Sequence, residues 1–187
     1  MPVDLSDYVL VLSQVQGDSV LELARFSSGQ MILTVQRAAA RCGRPAVVKF
    51  HPRCDDLRFR AVIGVAVAKC GARIVDAYID DLLSRAALVA VVNSGTGFEA
   101  LLRLRTVMTF GRCDYQTATH PITDLDEVMT IMSGYPGSRI PPERITAFLD
   151  AFLVRHQISM RHPDFERKIA AMVRTKAATG TIGQVPL

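Results

Sequence analysis

The chain has 187 residues and a formal net charge of +4; 49% of its residues are hydrophobic, and its mean hydropathy is +0.22. This length and apolar content predict a single globular domain with its own core. They exclude a membrane-spanning helix, since no apolar run reaches the roughly 18–20 residues that one needs. The opening residues lack a basic region followed by an apolar one, so no signal peptide is expected.

The distribution of cysteine, histidine, aspartate and arginine argues against a metal site and a nucleic-acid partner. The four cysteines are scattered and form no Cys-x-x-Cys pair, which predicts reduced thiols in a cytoplasmic protein and no zinc site. No cluster of His or Asp has metal-ligand spacing, so no metal is expected. The arginines are dispersed, without a basic tract or an aromatic RNA-binding signature, so no nucleic-acid partner is expected. The positive charge suits an anionic ligand or a peripheral encounter with a membrane surface.

Short β-branched runs alternate with helical patterns through the first part of the chain. The predicted strands occupy 8–12, 46–50, 72–75, 88–92 and 106–110. The predicted helices occupy 30–41, the stretch from a cap at Asp55 or Asp56 to 69, 79–85 and 96–104. Strands that are apolar on both faces and separated by helices predict a parallel sheet covered on both sides. The expected fold class is therefore α/β, a three-layer α/β/α Rossmann-like sheet that binds ligands beyond the carboxyl ends of its strands.

The pattern changes after the fifth predicted strand. It predicts an irregular loop over 112–123, a helix over 124–132 capped by Thr123 or Asp124, and a linker rich in Pro and Gly over 134–142. Helices are predicted over 142–156 and 163–176. We expect 1–133 to form the Rossmann-like lobe, 134–176 to pack on the same domain as C-terminal helices, and 177–187 to be a disordered tail.

The second predicted strand ends in a cluster of basic side chains. Lys49, His51 and Arg53 alternate along extended backbone, so their side chains share one face. Pro52 biases His51 away from a helix, which favours an imidazole held at the rim of the sheet. The pattern predicts a phosphate-binding or proton-donating His51, the candidate catalytic residue. The alternative is a histidine hydrogen-bonded at the rim beside two solvated cations.

The fourth predicted strand runs into a small turn, with hydroxyl groups and glycines, that opens a helix. Unpaired N–H groups and the positive end of the helix dipole meet there, so phosphate is the natural occupant. Glu99 in the first turn could accept hydrogen bonds from ribose hydroxyls or simply favour the dipole. Plain N-capping is the alternative reading of the hydroxyl groups. The predicted phosphate nest consists of Ser94 Oγ, Thr96 Oγ and the N–H groups of Gly95 and Gly97. Asn93, just before them, is a further candidate binding residue.

Further polar residues follow the first and fifth strands. Gln14, Gln16 and Asp18 line the exit from the first strand, where they could contact a sugar or base or satisfy the backbone of their own loop. Tyr115 follows the fifth strand, where it could close over a ligand.

The glycine turn also fits a second enzyme class. Gly95, Gly97 and Ala100 form a loose dinucleotide fingerprint, and Asp114 beyond the next strand could bind ribose. Such a fingerprint normally follows the first strand, whereas this one follows the fourth. A dinucleotide-dependent oxidoreductase is therefore the alternative enzyme hypothesis.

Several motifs, taken together and in order, resemble one known family. They are Leu-Val-Leu-Ser-Gln-Val-Gln-Gly-Asp-Ser at 10–19, Val-Val-Lys-Phe-His-Pro-Arg at 47–53, Asp-Leu-Leu at 81–83, Val-Val-Asn-Ser-Gly-Thr-Gly-Phe-Glu-Ala-Leu-Leu at 91–102 and Val-Met-Thr-Phe-Gly-Arg at 107–112. Over 8–123 their order and spacing are similar to those of the capsular polysaccharide biosynthesis and export family. Its characterised members are bacterial β-Kdo transferases that use CMP-Kdo.

The resemblance implies a lobe like the C-terminal half of a GT-B glycosyltransferase, which holds a nucleotide sugar, CMP-Kdo above all. Matched by position, Lys49 and His51 would contact the CMP phosphate, Ser94 and Thr96 would contact the same phosphate, and Glu99 would reach the ribose. No partners are implied for the polar loop after the first strand. No cofactor is implied beyond the donor CMP-sugar, and no metal is required, because basic residues and a helix N-terminus can neutralise the phosphate.

A GT-B transferase also needs a lobe that binds the acceptor, whereas the first strand here lies within the first residues of the chain. We therefore expect an incomplete glycosyltransferase: a fragment, a split half that works with an acceptor-lobe protein, or a remnant. The alternative is a non-catalytic interaction subunit of a polysaccharide synthesis or export complex. Either is expected in the cytoplasm, with peripheral association at the inner face of the inner membrane left open.

Overall fold

The computed structural model describes residues 7–156, 161 and 163–178, and it builds them around an all-parallel sheet of six strands. The strand order is β3-β2-β1-β4-β5-β6. The chain leaves β1 towards β2 on one side and later returns to β4 on the other, so a crevice opens at the carboxyl edge of these strands. The strands are β1 (Tyr8–Leu12), β2 (Ala46–Lys49), β3 (Arg73–Ile74), β4 (Ala86–Val91), β5 (Thr106–Thr109) and β6 (His120–Pro121).

Helices connect these strands and follow the last of them. Ser27 and Gln30 form a reciprocal capping box that starts α1. The Asp56 carboxylate accepts the Phe59 N–H at 2.9 Å, which confirms one of the two predicted caps of α2. The helices are α1 (Ser28–Arg41), α2 (Leu57–Lys69), α3 (Ile79–Arg85), α4 (Gly95–Leu102), α5 (Asp126–Gly134), α6 (Pro142–His156) and α7 (Phe165–Ala178), with 3₁₀ turns at Ser19–Leu23 and Gln116–Ala118.

Side-chain alternation along the central strands builds two apolar layers. Val9 of β1 is fully buried in a cluster that includes Met31 of α1 and Ile63 of α2. Tyr8, one residue earlier, points to the other face, where its hydroxyl donates to the Leu82 carbonyl of α3 at 2.7 Å. Helices α1, α2 and α5 thus cover one face, and α3 and α4 cover the other. The predicted three-layer α/β/α class is confirmed.

The segment predicted as an irregular loop over 112–123 carries more structure than its sequence pattern indicates. It holds the second 3₁₀ turn and the edge strand β6, which pairs in parallel with β5. The Ile122 N–H then donates to the Thr109 carbonyl at 2.8 Å. The prediction of an irregular loop was wrong because two-residue strands and single 3₁₀ turns are too short to show a hydrophobic period.

The helix after β6 begins at Asp126, two residues later than predicted, and its N-cap residue, Leu125, provides no side-chain cap. Neither predicted cap occupies the N-cap position, although Asp124 still bonds to the first N–H of the helix. The Thr123 N–H donates to the Glu127 carboxylate at 3.1 Å, and the Asp124 carboxylate accepts the Asp126 N–H at 3.0 Å. These local bonds hold the chain in a turn before the helix, as is common for Asp and Thr.

Contacts divide the chain into two compact units, Met1–Thr146 and Ala147–Leu187. Within the second unit, the rings of Phe148 and Phe152 stack with their centroids 5.4 Å apart. The packing of 134–176 on the same domain stays a prediction. In the tail predicted over 177–187, α7 continues to Ala178, and the rest lies outside the described residues. Among the helices described, none has the length and apolar character needed to cross a bilayer.

Gln36 on α1 is a buried amide for which the described residues provide no hydrogen-bond partner. Its side chain is 1% exposed, and neither its nitrogen nor its oxygen is paired. An unpaired buried polar group costs about 1–3 kcal/mol. We therefore expect Gln36→Leu to raise the free energy of unfolding by about 1 kcal/mol or more in urea denaturation. Gln36→Glu is the contrasting variant and should lower it, and a loss of stability in Gln36→Leu would contradict the reasoning.

Candidate functional site

A cavity of about 570 Å³ lies at the carboxyl edge of the sheet. The end of β2, the segment after β3 and the start of α4 surround it, and the end of β1 contributes Ser13. Because these elements meet at the crevice beside β1, the two motifs that lie far apart in sequence come together. The predicted site residues that line this cavity are Lys49, His51, Ser94, Thr96 and Glu99.

His51 is held from two directions. Its N–H donates to Ser13 Oγ at 3.1 Å, and its ring Nδ1 accepts the Arg53 N–H at 3.1 Å. Because Nδ1 accepts a hydrogen bond, the neutral ring carries its proton on Nε2. The ring lines the cavity, and Nε2–H is the donor that it has left for a ligand. Arg53, which was predicted to bind the ligand, does not line the cavity; its backbone N–H holds the His51 ring.

Positive charge gathers around His51. Burial lowers the pKa of His51 below 6.5, the neighbouring charges of Arg53 and Lys49 lower it further, and Asp18 opposes them. The Lys49 side chain is 11% exposed, and its ammonium lies 3.5 Å from the carboxylate of Asp76, which is fully exposed. A solvent-exposed carboxylate is a weak ionic partner. Lys49 is therefore able to neutralise an anion in the cavity.

This pKa shift predicts a pH dependence of stability. A lowered pKa in the folded state means that the unfolded chain binds a proton more readily at position 51, so stability falls as the pH drops through the 6.5 of the unfolded chain. Between about pH 7.5 and about pH 5.5, we expect the wild-type chain to lose more stability than His51→Ala in thermal unfolding. Equal losses of stability in the two proteins would contradict the lowered pKa of His51. The other histidines are present in both proteins, so their contributions cancel in the comparison.

In the turn between β4 and α4, some polar groups cap the helix, whereas the Gly95 N–H has no hydrogen-bond partner among the described residues. Ser94 Oγ accepts the Thr96 N–H at 3.3 Å, and the Ser94 carbonyl accepts the Gly97 N–H at 2.9 Å. The Gly95 N–H has no acceptor among the residues described, and a Cβ at Gly95 would meet no atom within 4 Å. The start of α4 therefore meets open space beside two hydroxyl groups, an arrangement that suits phosphate.

Tyr115 packs against this turn and does not line the cavity. Its hydroxyl donates to the Ser94 carbonyl, and its side chain is buried. Burial raises the pKa of Tyr115 far above its ordinary value, so the hydroxyl stays a neutral donor. A Cβ at Gly97 would lie 2.9 Å from the Tyr115 ring, closer than real Cβ atoms approach their neighbours. Gly97 is thus required by the close approach of the ring that positions the turn.

Two amide side chains tie the end of β1 to the end of β4. Gln14 Nε2 donates to Asn93 Oδ1 at 3.0 Å, and the Asn93 N–H donates to Gln14 Oε1 at 3.0 Å. Asn93 Nδ2 also donates to the Val20 carbonyl at 2.6 Å. Gln16 Nε2 reaches the Gln14 carbonyl at 3.4 Å, and Asp18 caps the 3₁₀ turn. None of these four predicted site residues lines the cavity, and their hydrogen bonds hold the loops beside it.

One side of the cavity went unrecognised in the sequence. It is formed by the segment that follows β3, and the unpredicted lining residues there are Asp76, Ala77, Tyr78 and Ile79. The rule that ligands bind beyond the carboxyl ends of strands applies to this segment too. The strand before it was predicted over 72–75, but neither a glycine turn nor a basic cluster follows that strand to indicate a binding site.

The lining residues combine an anion-binding end with a carboxylate and apolar groups. Lys49, His51 and the α4 N-terminus suit a phosphate, and the Glu99 carboxylate is an acceptor for hydroxyl groups. Across the described ranges, no three His, Cys, Asp or Glu side chains gather in a way that could hold a metal ion. The chemistry of the cavity therefore suits a small phosphorylated ligand with hydroxyl groups.

A parallel sheet in this order, with a cavity at its carboxyl edge beside β1, defines a Rossmann-like α/β/α protein, the fold that also forms each half of a GT-B protein. The chain belongs to the capsule polysaccharide biosynthesis protein family, whose model matches residues 4–158. Comparison with curated protein sequences gave no match.

Solved structures with a similar fold are about twice as long as the matched part of this chain. UDP-GlcNAc 2-epimerase from Neisseria meningitidis, bound to UDP-GlcNAc, is 11% identical; the match covers 81% of this chain and 45% of that one, with a TM-score of 0.54. KpsC of Thermosulfurimonas dismutans, a beta Kdo 2,7 transferase, is 21% identical; the match covers 78% of this chain and 53% of that one, with a TM-score of 0.48. The chain thus spans about half the length of the solved proteins it matches.

Proposed function

We propose that this chain is the nucleotide-sugar-binding lobe of a glycosyltransferase of capsule polysaccharide synthesis, with CMP-Kdo as the donor. The observation that carries the proposal is the convergence of Lys49, His51 and the α4 N-terminus on one cavity. Family membership supports the biosynthetic context. The resemblance of the motifs to β-Kdo transferases supports the choice of cytidine nucleotide and sugar.

The donor phosphate would lie between the β2 end and the start of α4. His51 Nε2–H would donate to one phosphate oxygen, the Lys49 ammonium would supply a full positive charge, and the Gly95 N–H would donate from the opposite element. In the free chain the Ser94 hydroxyl donates to Thr96 Oγ1 at 3.3 Å. The Thr96 hydroxyl would therefore donate to the phosphate directly, and the Ser94 hydroxyl would do so by rotating away from Thr96. Several charge-assisted hydrogen bonds from different elements give both affinity and a fixed orientation.

The same groups would assist the chemistry of glycosyl transfer. When the bond between the sugar and the phosphate oxygen breaks, that oxygen keeps the electron pair and CMP departs with additional negative charge. Positive groups already in place around the phosphate stabilise this charge as it develops. The acceptor must be held in register by a second lobe for transfer to occur, so we propose that this chain works with an acceptor lobe supplied by another polypeptide segment.

The first test is a thermal-shift titration with CMP, UMP, UDP and NAD⁺ at matched ionic strength, since a bound ligand stabilises the folded state. We expect CMP to raise the melting temperature more than UMP or UDP, and NAD⁺ to leave it unchanged. Stabilisation by NAD⁺ instead would favour the dinucleotide-dependent oxidoreductase. A flat response to every nucleotide would reject the proposal and favour the non-catalytic interaction subunit.

Nuclear magnetic resonance of the His51 ring tests the predicted phosphate contact separately. In the free chain, burial and neighbouring cations lower the pKa of His51. A phosphate dianion next to the ring favours the imidazolium, so the pKa should rise when CMP is added. A His51 titration curve that is unchanged at saturating CMP would place the phosphate elsewhere.

A further inference from the structure

Tyr78 is an aromatic side chain at the cavity with little protein around it. It is 83% exposed, yet it belongs to the cavity lining together with Pro52 and Ile79. Among the described residues, no hydrogen bond, ring contact or cation partner of its side chain is found. The ring is therefore available to a ligand in a way that the buried Phe50, on the same lining, is not.

The backbone that carries Tyr78 is fixed although its ring is exposed. The Val75 N–H donates to the Val48 carbonyl at 3.0 Å, and the Tyr78 carbonyl accepts the Leu82 N–H at 3.3 Å. The helix that starts after Tyr78 also contacts the far end of α4, since Nη2 of Arg103, the residue that follows α4, lies 2.5 Å from the Asp80 carboxylate. Tyr78 thus approaches the cavity on a segment whose backbone is anchored on both sides by these hydrogen bonds.

The cavity therefore joins two chemistries. Cations and a helix N-terminus suit a phosphate, whereas Pro52, Tyr78 and Ile79 provide apolar surface and one exposed aromatic face. A sugar phosphate uses only the first of these, while a nucleotide uses both. Any nucleobase has a π-face that can stack on an aromatic ring.

We propose that Tyr78 is a positioning residue whose ring stacks on the nucleobase of the bound nucleotide. This inference rests on the proposed function and assigns the base-binding part of the same cavity. The stacked base fixes the nucleoside end of the ligand while His51 and α4 hold the phosphate. Binding of a nucleotide then depends on Tyr78, whereas binding of the same phosphate without a base does not.

The experiment compares CMP with ribose 5-phosphate, which has the sugar and phosphate but no base. Dissociation constants of both are measured by calorimetry for the wild-type chain, Tyr78→Ala, Tyr78→Phe and Val65→Ala. Val65 is the control because it is an apolar residue of α2, 59% exposed and not part of the cavity lining. Tyr78 is exposed, so its replacement is expected to leave folding intact, which thermal unfolding checks.

We expect Tyr78→Ala to weaken CMP binding about tenfold and to leave ribose 5-phosphate binding unchanged. Tyr78→Phe should bind CMP like the wild type, because it keeps the aromatic face. Unchanged CMP binding in Tyr78→Ala would overturn this inference and leave the proposed function standing. Equal weakening of both ligands would also overturn it, since the side chain would then act on the phosphate. A wild-type chain that does not bind CMP would overturn both proposals.

Discussion

His51→Ala is expected to weaken CMP binding by about 10- to 100-fold. One hydrogen bond to a charged group contributes about 1.5–3 kcal/mol, which corresponds to that loss of affinity. The substitution removes the Nε2–H donor that the Arg53 N–H fixes through Nδ1. It leaves the backbone bond from position 51 to Ser13 in place. Calorimetric titration of CMP into each protein measures the effect, and circular dichroism checks that the fold is retained.

Two further variants separate the hydrogen bond from a general loss of positive charge. His51→Gln offers an amide N–H in place of the imidazole donor and should retain part of the affinity. Arg58→Ala removes a full positive charge from an exposed position on α2 that does not line the cavity, and it should have little effect. If Arg58→Ala weakened CMP binding as much as His51→Ala, binding would reflect long-range charge and not the site described above.

Gly97→Ala is expected to destabilise the fold by about 1–3 kcal/mol, as overpacking of a close contact does. The added Cβ would approach the Tyr115 ring to 2.9 Å, and Tyr115 also holds the Ser94 carbonyl through its hydroxyl. Relief of this clash must move the ring or the start of α4, so CMP binding should weaken together with stability. Urea denaturation and CMP titration measure the two effects.

The same glycine motif provides the matched control. Gly95→Ala introduces a Cβ into open space and should change stability by less than about 0.5 kcal/mol. In a Tyr115→Ala background the Gly97→Ala cost should largely disappear, because the contacting ring is gone. If Gly97→Ala remained equally costly without the ring, the cause would be the backbone and not the contact with Tyr115.

The parallel sheet and both lining motifs were predictable because they depend on local patterns. Strands such as β4 are apolar at every position, so their burial on both faces follows from composition alone. His51 and Ser94 follow strands directly, and the carboxyl ends of parallel strands share one edge. Their convergence on one cavity could therefore be predicted without knowledge of long-range side-chain contacts.

The remaining features depend on contacts that a single sequence does not display. Gln14 and Asn93 looked like ligand-binding amides, but they bond to each other across neighbouring strands. Tyr115 looked like a residue that could close over the ligand, but it packs against Gly97. Tyr78 follows the strand predicted over 72–75, but no glycine turn or basic cluster marks the segment that carries it.

The most direct test is a nuclear magnetic resonance titration of the isotopically labelled chain with CMP, in which the amide and histidine-ring resonances are monitored. We predict saturable shifts at Gly95, His51 and Tyr78, because the cavity between β2, α3 and α4 would hold the nucleotide. Shifts that reach saturation at these residues would support a cytidine-nucleotide site and justify a search for the acceptor lobe. Saturable shifts confined to another surface, or none at millimolar CMP, would contradict the account.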